Sequence, residues 1–327
     1  MNKLIFFFLA LLLPVSYFAG DGDYPERLKK QYAFFALKDK SKSTDSVRFV
    51  VSSSDTLKKK KGIILFIQGS EPTPLFSEVK EGLAPPLPFD PTPYLQDFRF
   101  VVISKPGIPV YHFFESTTNF QYLDSATNMP PLKFLENDNL QWYTQSAELV
   151  LKYLSAQSWV APDKIMVIGH SQGARVASYL CTRNKEIKKL AFLSCSAFAR
   201  TYNFSADIRR QQGDEKQEQV QIDTLFKRMA PEIVPGAPEG FYNHHPVDDL
   251  LKLDIPVLLL YGLSDNSIQP ETLDFVILEF TRKGKKNLDW KPMPGYDHNF
   301  FTKDQPGKPP VFHWDEIAAG IVGWMKK

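Results

Sequence analysis

The sequence Gly-His-Ser-Gln-Gly at residues 169–173 holds a serine in a setting where its hydroxyl could act as a nucleophile. The apolar run that ends at His170 predicts a strand, and the following run ARVASYLC predicts a helix. A serine at such a strand-to-helix turn is strained and exposes its hydroxyl. The flanking glycines let neighbouring backbone approach closely, because side chains there would clash. We therefore predict that Ser171 is a catalytic nucleophile.

Two later residues could activate this serine. The apolar run at residues 255–262 predicts a buried strand, and Asp265 follows it on a loop. The segment LDWKPMPGYDHNF predicts a short strand and a turn that delivers His298. Imidazole suits the removal of a hydroxyl proton near neutral pH, and a carboxylate fixes its tautomer and stabilises its charge. We predict His298 as the base and Asp265 as its partner; His313, which opens the predicted last helix, is the alternative base.

The chain order Ser171, Asp265, His298 resembles that of the nucleophile-elbow enzymes of the α/β-hydrolase superfamily. The resemblance extends over almost the whole chain after the first few dozen residues. It implies a three-layer α/β-hydrolase fold, in which a mostly parallel twisted sheet is flanked by helices and carries a helical cap insertion.

The same resemblance implies an oxyanion hole made of two backbone N–H groups. One belongs to Gln172, directly after the nucleophile at a helix N-terminus. The other follows the strand GIILFI, where many members of the superfamily have His-Gly before the donor. This chain has Gln68-Gly69 there, which makes Ser70 the expected second donor.

The 327 residues suit a single domain over residues 21–327 with two insertions. Residues 106–140 are rich in aromatic side chains, and we expect them to border the site. Residues 200–250 contain a predicted amphipathic helix that ends before Pro231 and forms a lid over the catalytic edge. Its apolar positions are Ile222, Leu225, Phe226 and Met229. Together the insertions suggest an apolar or aromatic portion in the substrate, although such side chains more often belong to the core than to a pocket.

Composition limits the ligands and partners. The net charge is +2, and the one dense basic run, residues 58–61, is predicted to be a solvated turn that binds no nucleic acid. The sequence has no metal-ligand spacing and no phosphate-binding loop, so we expect no cofactor and no metal. Cys181 and Cys195 are predicted to lie too far apart for a disulfide and to be small core residues.

Two cationic residues near the predicted site are expected to be structural. Lys105 follows a predicted strand and could contact an acidic substrate group, but local pairing or exposure to water is favoured. Arg175 lies on the predicted nucleophile helix and is expected to form an ion pair.

Residues 1–20 resemble an export signal. Lys3 precedes an apolar core at residues 4–13, and Pro14 ends it. Cleavage after Ala19 would place Tyr17 where a small side chain is preferred, so an uncleaved membrane anchor is the alternative. We expect the protein to be periplasmic or extracellular, with membrane contact only through this segment.

These observations predict an exported serine hydrolase that cleaves an ester, thioester or amide bond in a small-molecule or peptide-like substrate through an acyl-serine intermediate. Esters are favoured because they need less leaving-group assistance than amides. An inactive binding module of the same fold is the alternative from a different class. An acyltransferase or a compact aminopeptidase would keep the same three residues.

Overall fold

The computed structural model describes residues 24–38, 46–53, 57–115, 119–211, 213–234, 239–302 and 309–327. The predicted export signal lies outside these residues. Among the helices that are described, none is both long and apolar enough to cross a membrane.

Eight of the described strands form one sheet, in the order β1-β2-β6-β3-β8-β9-β10-β11. Strands β1 and β2 pair antiparallel, as predicted, β2 also pairs antiparallel with β6, and the other neighbours are parallel. Strands β4, β5 and β7 form a small second sheet, and β12 pairs with β13. The strands are β1 (Tyr32–Lys38), β2 (Ser46–Ser52), β3 (Lys61–Ile67), β4 (Phe76–Val79), β5 (Gly82–Ala84), β6 (Phe98–Ile103), β7 (Tyr111–Phe113), β8 (Val160–His170), β9 (Ile187–Leu193), β10 (Val257–Gly262), β11 (Leu288–Met293), β12 (Phe301–Thr302) and β13 (Val311–Phe312).

Helices cover both faces of the large sheet. They are α1 (Glu26–Lys29), α2 (Leu132–Asn137), α3 (Leu140–Ser155), α4 (Gln172–Arg183), α5 (Arg200–Arg210), α6 (Glu215–Ile233), α7 (Pro246–Leu250), α8 (Glu271–Arg282) and α9 (Trp314–Lys326). Apolar residues of α3, α4 and α8 share one buried cluster with the sheet, and those of α9 share the other. The predicted three-layer arrangement is confirmed.

Strand β3 illustrates why the central strands are continuous apolar runs. Ile63 and Leu65 belong to the cluster on one face, whereas Ile64 and Phe66 belong to the cluster on the other. A strand that is covered on both faces needs apolar residues at every position. The first residue of β3, Lys61, is buried and its Nζ donates to the carbonyl of Leu95 at 2.5 Å. The predicted solvated turn is therefore limited to residues 58–60, which are exposed.

The segment predicted as a cap contains α5, α6 and α7. Helix α6 continues to Ile233, so the prediction that it ends before Pro231 was wrong. Proline removes one backbone hydrogen bond, and only two residues of α6 follow Pro231. Asp214 caps the N-terminus of α6 by accepting from the backbone N–H groups of Lys216 and Gln217.

Candidate active site

Ser171 lies in the sharp turn between β8 and α4. Its φ of 56° and ψ of −127° fall in a region that residues other than glycine rarely occupy. The turn is fixed on both sides, since the N–H of Ser171 donates to the carbonyl of Leu193 at 2.9 Å and its own carbonyl accepts from Ala174 at 3.0 Å. The predicted strained strand-to-helix turn is present in the structure.

The two glycines of the motif are needed because backbone lies against them. A Cβ on Gly169 would lie 2.5 Å from the Cα of Ala174, inside any acceptable contact. A Cβ on Gly173 would overlap the carbonyl groups of Ile67 and Gln68 at the end of β3. This close approach brings the loop after β3 beside Ser171.

The structure brings the three predicted side chains together at the carboxyl edge of the sheet. His298 Nε2 lies 2.9 Å from Ser171 Oγ, and His298 Nδ1 lies 2.8 Å from Asp265 Oδ2. Because the carboxylate can only accept, Nδ1 carries the proton and Nε2 accepts from the serine hydroxyl. This is the arrangement in which an imidazole can remove a hydroxyl proton.

The loop after β10 holds Asp265 rigidly. Its Oδ1 accepts from the backbone N–H groups of Ser267 at 2.7 Å and Ile268 at 3.0 Å, which leaves Oδ2 for His298. The side chain of Asp265 is 0% exposed and that of His298 is 16% exposed. The carboxylate is thus shielded from water while the imidazole reaches the cavity.

His170, which sequence reasoning did not single out, holds the loop that carries His298. Its Nε2 donates to the carbonyl of His298 at 2.9 Å, and its ring packs against Trp314 and Phe300. Burial lowers the pKa of His170 to about 4, and the nearby His298 adds to this shift. His170 is therefore neutral at physiological pH, and its hydrogen bond fixes the backbone at His298.

Replacing His170 with phenylalanine is expected to lower kcat about tenfold, the effect of losing one net hydrogen bond of about 1.4 kcal/mol. Phenylalanine keeps the ring packing but leaves the His298 carbonyl without its donor. His170→Gln retains an N–H donor and should recover part of the loss. Ester hydrolysis under saturating substrate measures both variants, and equal rates for His170→Phe and the native protein would contradict the assigned role.

The two expected oxyanion donors border the same cavity as Ser171. The N–H of Gln172 belongs to the first turn of α4, whose N–H groups have no partner within the helix. The loop that carries Ser70 passes beside Ser171, since a Cβ on Gly69 would lie 3.8 Å from Ser171 Oγ. This placement is compatible with the predicted pair of donors.

Lys105 holds this loop in place through hydrogen bonds. Its Nζ donates to the carbonyl oxygens of Gly69 and Glu71, the residues on either side of Ser70. Lys105 is 6% exposed, and burial lowers its pKa from 10.5 to about 7. The negative charges of Asp138 and Glu71 act in the opposite direction and raise this pKa. The local pairing favoured from the sequence is thus observed, and its partners are backbone carbonyls.

The lowered pKa of Lys105 predicts a specific pH dependence of stability. Between about pH 7 and pH 10.5 the unfolded chain holds a proton on this amine that the folded protein has released, so stability rises with pH through that window. The melting temperature of the native protein, relative to that of Lys105→Met, should therefore increase from pH 6 to pH 9. Calorimetric melting at both pH values, with the exposed Lys152→Met as a control, measures this difference; a decrease would contradict the shift.

The cavity above Ser171 has a volume of about 620 Å³. Most of the residues that line it are polar, and α5 contributes Arg200, Asn203, Phe204 and Asp207 to its wall. The aromatic residues at 106–140 do not line it. Three of them, His112, Phe114 and Tyr122, pack with one another. These aromatic side chains therefore pack against each other and do not form the wall of the cavity.

The segment 106–140 reaches the site through a polar residue. Asp138 Oδ1 accepts from Gln172 Nε2 and from the hydroxyl of Tyr143, each at 2.9 Å. Gln172 Oε1 in turn accepts from the guanidinium of Arg200. A hydrogen-bonded chain thus connects this segment to the first residue of α5.

The ion pair expected for Arg175 is absent among the described residues. Arg175 is 2% exposed, and its one recorded side-chain hydrogen bond runs from Nη1 to the carbonyl of His244 at 2.9 Å. The negative charge of Asp249 acts on Arg175 electrostatically. The carboxylate of Asp249 lies 2.6 Å from His244 Nε2 instead. Burial lowers the pKa of Arg175.

The remaining candidates from the sequence lie away from the reacting atoms. His313 Nε2 bonds to the hydroxyl of Thr302 at 2.8 Å and does not contact Ser171, so the alternative base is excluded by position. Cys181 and Cys195 are free and buried, as predicted. Cys195 lines the wall of the cavity.

No protein-family model and no curated protein matches this sequence. Solved structures do match it. One is assigned as a dipeptidyl aminopeptidase IV from Bacteroides ovatus (TM-score 0.57, 12% identity, 90% of this chain and 35% of that chain). Another is dipeptidyl peptidase 4 from Porphyromonas gingivalis, with a TM-score of 0.55 and 12% identity; the match covers 92% of this chain and 36% of that chain. A third is assigned as a dienelactone hydrolase from Klebsiella pneumoniae, with a TM-score of 0.54 and 11% identity; the match covers 90% of this chain and 99% of that chain.

These matches place the chain in the α/β-hydrolase fold. The chain spans 35% and 36% of the length of the two peptidases, but nearly all of the third protein. At identities of 11% and 12% the similarity establishes the fold and no activity. Function has to be argued from the site.

Proposed function

We propose that this chain is an exported serine hydrolase that cleaves an ester bond through an acyl-serine intermediate. The observation that supports the proposal is the hydrogen bonding of His298 to both Ser171 and Asp265. An inactive binding module would have no need for this alignment or for the strained backbone of the serine. The sequence of residues 1–20 supports export.

In the proposed reaction His298 Nε2 takes the proton of Ser171 as Oγ attacks the substrate carbonyl carbon. The imidazolium is stabilised by Asp265, and the new oxyanion accepts from the N–H groups of Gln172 and Ser70. Collapse of the tetrahedral intermediate breaks the carbonyl–oxygen bond, and His298 returns the proton to the departing alcohol. Water, activated by the same imidazole, then releases the acid and restores Ser171.

Esters are the proposed class because their alcohol leaving groups need less protonation than amines. Thioesters and amides could follow the same steps, as could an acyltransferase in which another alcohol or amine takes the place of water. The proposed substrate is a small molecule or a short peptide-like chain. The proposed chemistry requires no cofactor or metal, and the proposal includes no nucleic acid partner.

The proposal is tested by comparing 4-nitrophenyl butyrate, a butyryl thioester and an aminoacyl 4-nitroanilide as substrates of the purified protein. We expect the highest kcat/KM for the oxygen ester and loss of turnover in His298→Asn. His313→Asn replaces the histidine that lies outside the site and should keep the native rate. No turnover of any of the three substrates by the native protein, or equal activity of His298→Asn and His313→Asn, would refute the proposal.

A further inference from the structure

Two arginines belong to the wall of the cavity that contains Ser171. Arg175 lies four residues after Ser171 on α4, a rise of about 6 Å along the helix. Arg200 is the first residue of α5 and faces the cavity from the cap side. Neither residue has a part in the proposed bond-breaking steps, so their presence needs another explanation.

Neither guanidinium forms an ion pair with a carboxylate within the described part of the chain. Arg175 donates to one backbone carbonyl, that of His244. Arg200 donates to the side-chain oxygen of Gln172 and lies over the ring of Phe241, with its central carbon 4.6 Å from the ring centre. A guanidinium has five N–H donors, and a buried positive charge is costly unless an anion or several acceptors surround it. Each arginine therefore has donors left for a ligand.

The two negative side chains that border the cavity do not neutralise this pair. Glu71 is exposed and accepts from the side-chain amide of Gln121. Asp207 accepts from Gln269 Nε2 at 3.1 Å and lies 3.8 Å from Arg210 Nη1 on the same helix. Neither carboxylate therefore forms an ion pair with Arg175 or Arg200.

One hydroxyl at the wall has no hydrogen-bond partner among the described residues. Ser194 is fully buried at the end of β9, and its Oγ has no hydrogen-bond partner in the structure. A buried hydroxyl without a partner is unfavourable unless a ligand supplies one.

We propose that the substrate carries a carboxylate group away from the scissile carbonyl, and that Arg200 and Arg175 bind this group. The proposal rests on the proposed hydrolase function and specifies its substrate class. Arginine suits this task because its planar fork can bind a carboxylate through two parallel hydrogen bonds. The contacts of Arg200 with Phe241 and Gln172 fix the guanidinium before the ligand arrives, which reduces the entropy lost on binding.

The test uses two matched ester pairs that differ only in charge. In the first pair the charge is on the acyl side: 4-nitrophenyl hydrogen adipate against 4-nitrophenyl methyl adipate. In the second it is on the alcohol side: 4-acetoxybenzoate against its methyl ester. We expect at least one pair to show a kcat/KM ratio of about 10 or more in favour of the anion, as a charged hydrogen bond implies. The pair that shows it identifies the side of the substrate that carries the carboxylate.

Arg200→Gln should lower the kcat/KM ratio of the anionic to the neutral ester about tenfold. Arg200→Lys should lower this ratio less, because lysine keeps the positive charge but lacks the two parallel N–H donors of the guanidinium. Arg209→Gln, on the same helix but outside the cavity wall, should leave it unchanged. A ratio near one for both pairs in the native protein, or a ratio that Arg200→Gln does not reduce, would overturn the proposal.

A binding measurement separates this proposal from the hydrolase function. Adipate should raise the melting temperature of Ser171→Ala, dimethyl adipate should not, and Arg200→Gln in the same background should abolish the shift. Binding of adipate by a protein that hydrolyses no ester would support the anion site and refute the hydrolase. Hydrolysis of neutral esters without any adipate-induced shift would refute the anion site and support the hydrolase.

Discussion

Replacing Ser171 with alanine is expected to lower kcat for ester hydrolysis by about a millionfold, the scale found when the nucleophile of a serine hydrolase is removed. The physical reason is that alanine has no oxygen to form the acyl intermediate, while His298 keeps its hydrogen bond to Asp265. The Cβ remains in the turn, so the backbone conformation at φ 56° is retained. Initial rates with 4-nitrophenyl butyrate measure the effect.

The matched control for this variant is Ser155→Ala at the end of α3. Its hydroxyl bonds to Leu151 and Glu186, away from the cavity. We expect native activity in the control and an unchanged circular dichroism spectrum in both variants. A folded Ser171→Ala protein that retains more than a hundredth of the native rate would require another nucleophile.

Replacing Asp265 with asparagine is expected to lower kcat about ten-thousandfold, by analogy with the aspartate of other serine hydrolase triads. The asparagine amide would donate to His298 Nδ1, which forces the proton onto Nε2. The ring would then point an N–H at Ser171 and could not accept its hydroxyl proton. Rates with the same ester measure the loss.

Two comparisons make the Asp265 prediction specific. Asp289→Asn, which changes a carboxylate that accepts from Trp324 Nε1, should keep the native rate. The double variant Ser171→Ala with Asp265→Asn should be no slower than Ser171→Ala alone, because the residues act as one unit. Additive losses in the double variant would show that Asp265 acts independently of the serine.

Local sequence patterns were sufficient to predict the fold and the position of Ser171. Strand β3 is apolar from Ile63 to Phe66 because both of its faces are covered there, and Gly169 and Gly173 stand where backbone approaches closely. Both features depend on a residue and its immediate neighbours. The order of Asp265 and His298 in the chain predicted contacts between distant residues. Chain order alone did not exclude His313 as the base.

Sequence reasoning missed the role of His170 and could not name the partners of Lys105, because these contacts join residues that are distant in the chain. Lys105 binds carbonyl groups 34 and 36 positions away, and His170 binds the carbonyl of His298 128 positions away. A lysine after a strand has the same local pattern whether it is exposed or buried. The sequence also left open whether the aromatic residues at 106–140 pack with each other or line the cavity, and the structure shows that they pack with each other.

The most direct test of the account is the site at which a fluorophosphonate probe reacts with the full chain. Peptide mass mapping of the labelled native protein should find one adduct, on Ser171, and His298→Asn should label far more slowly while His313→Asn labels at the native rate. An adduct on another residue, or no adduct on a folded protein, would contradict the claim that His298 activates Ser171.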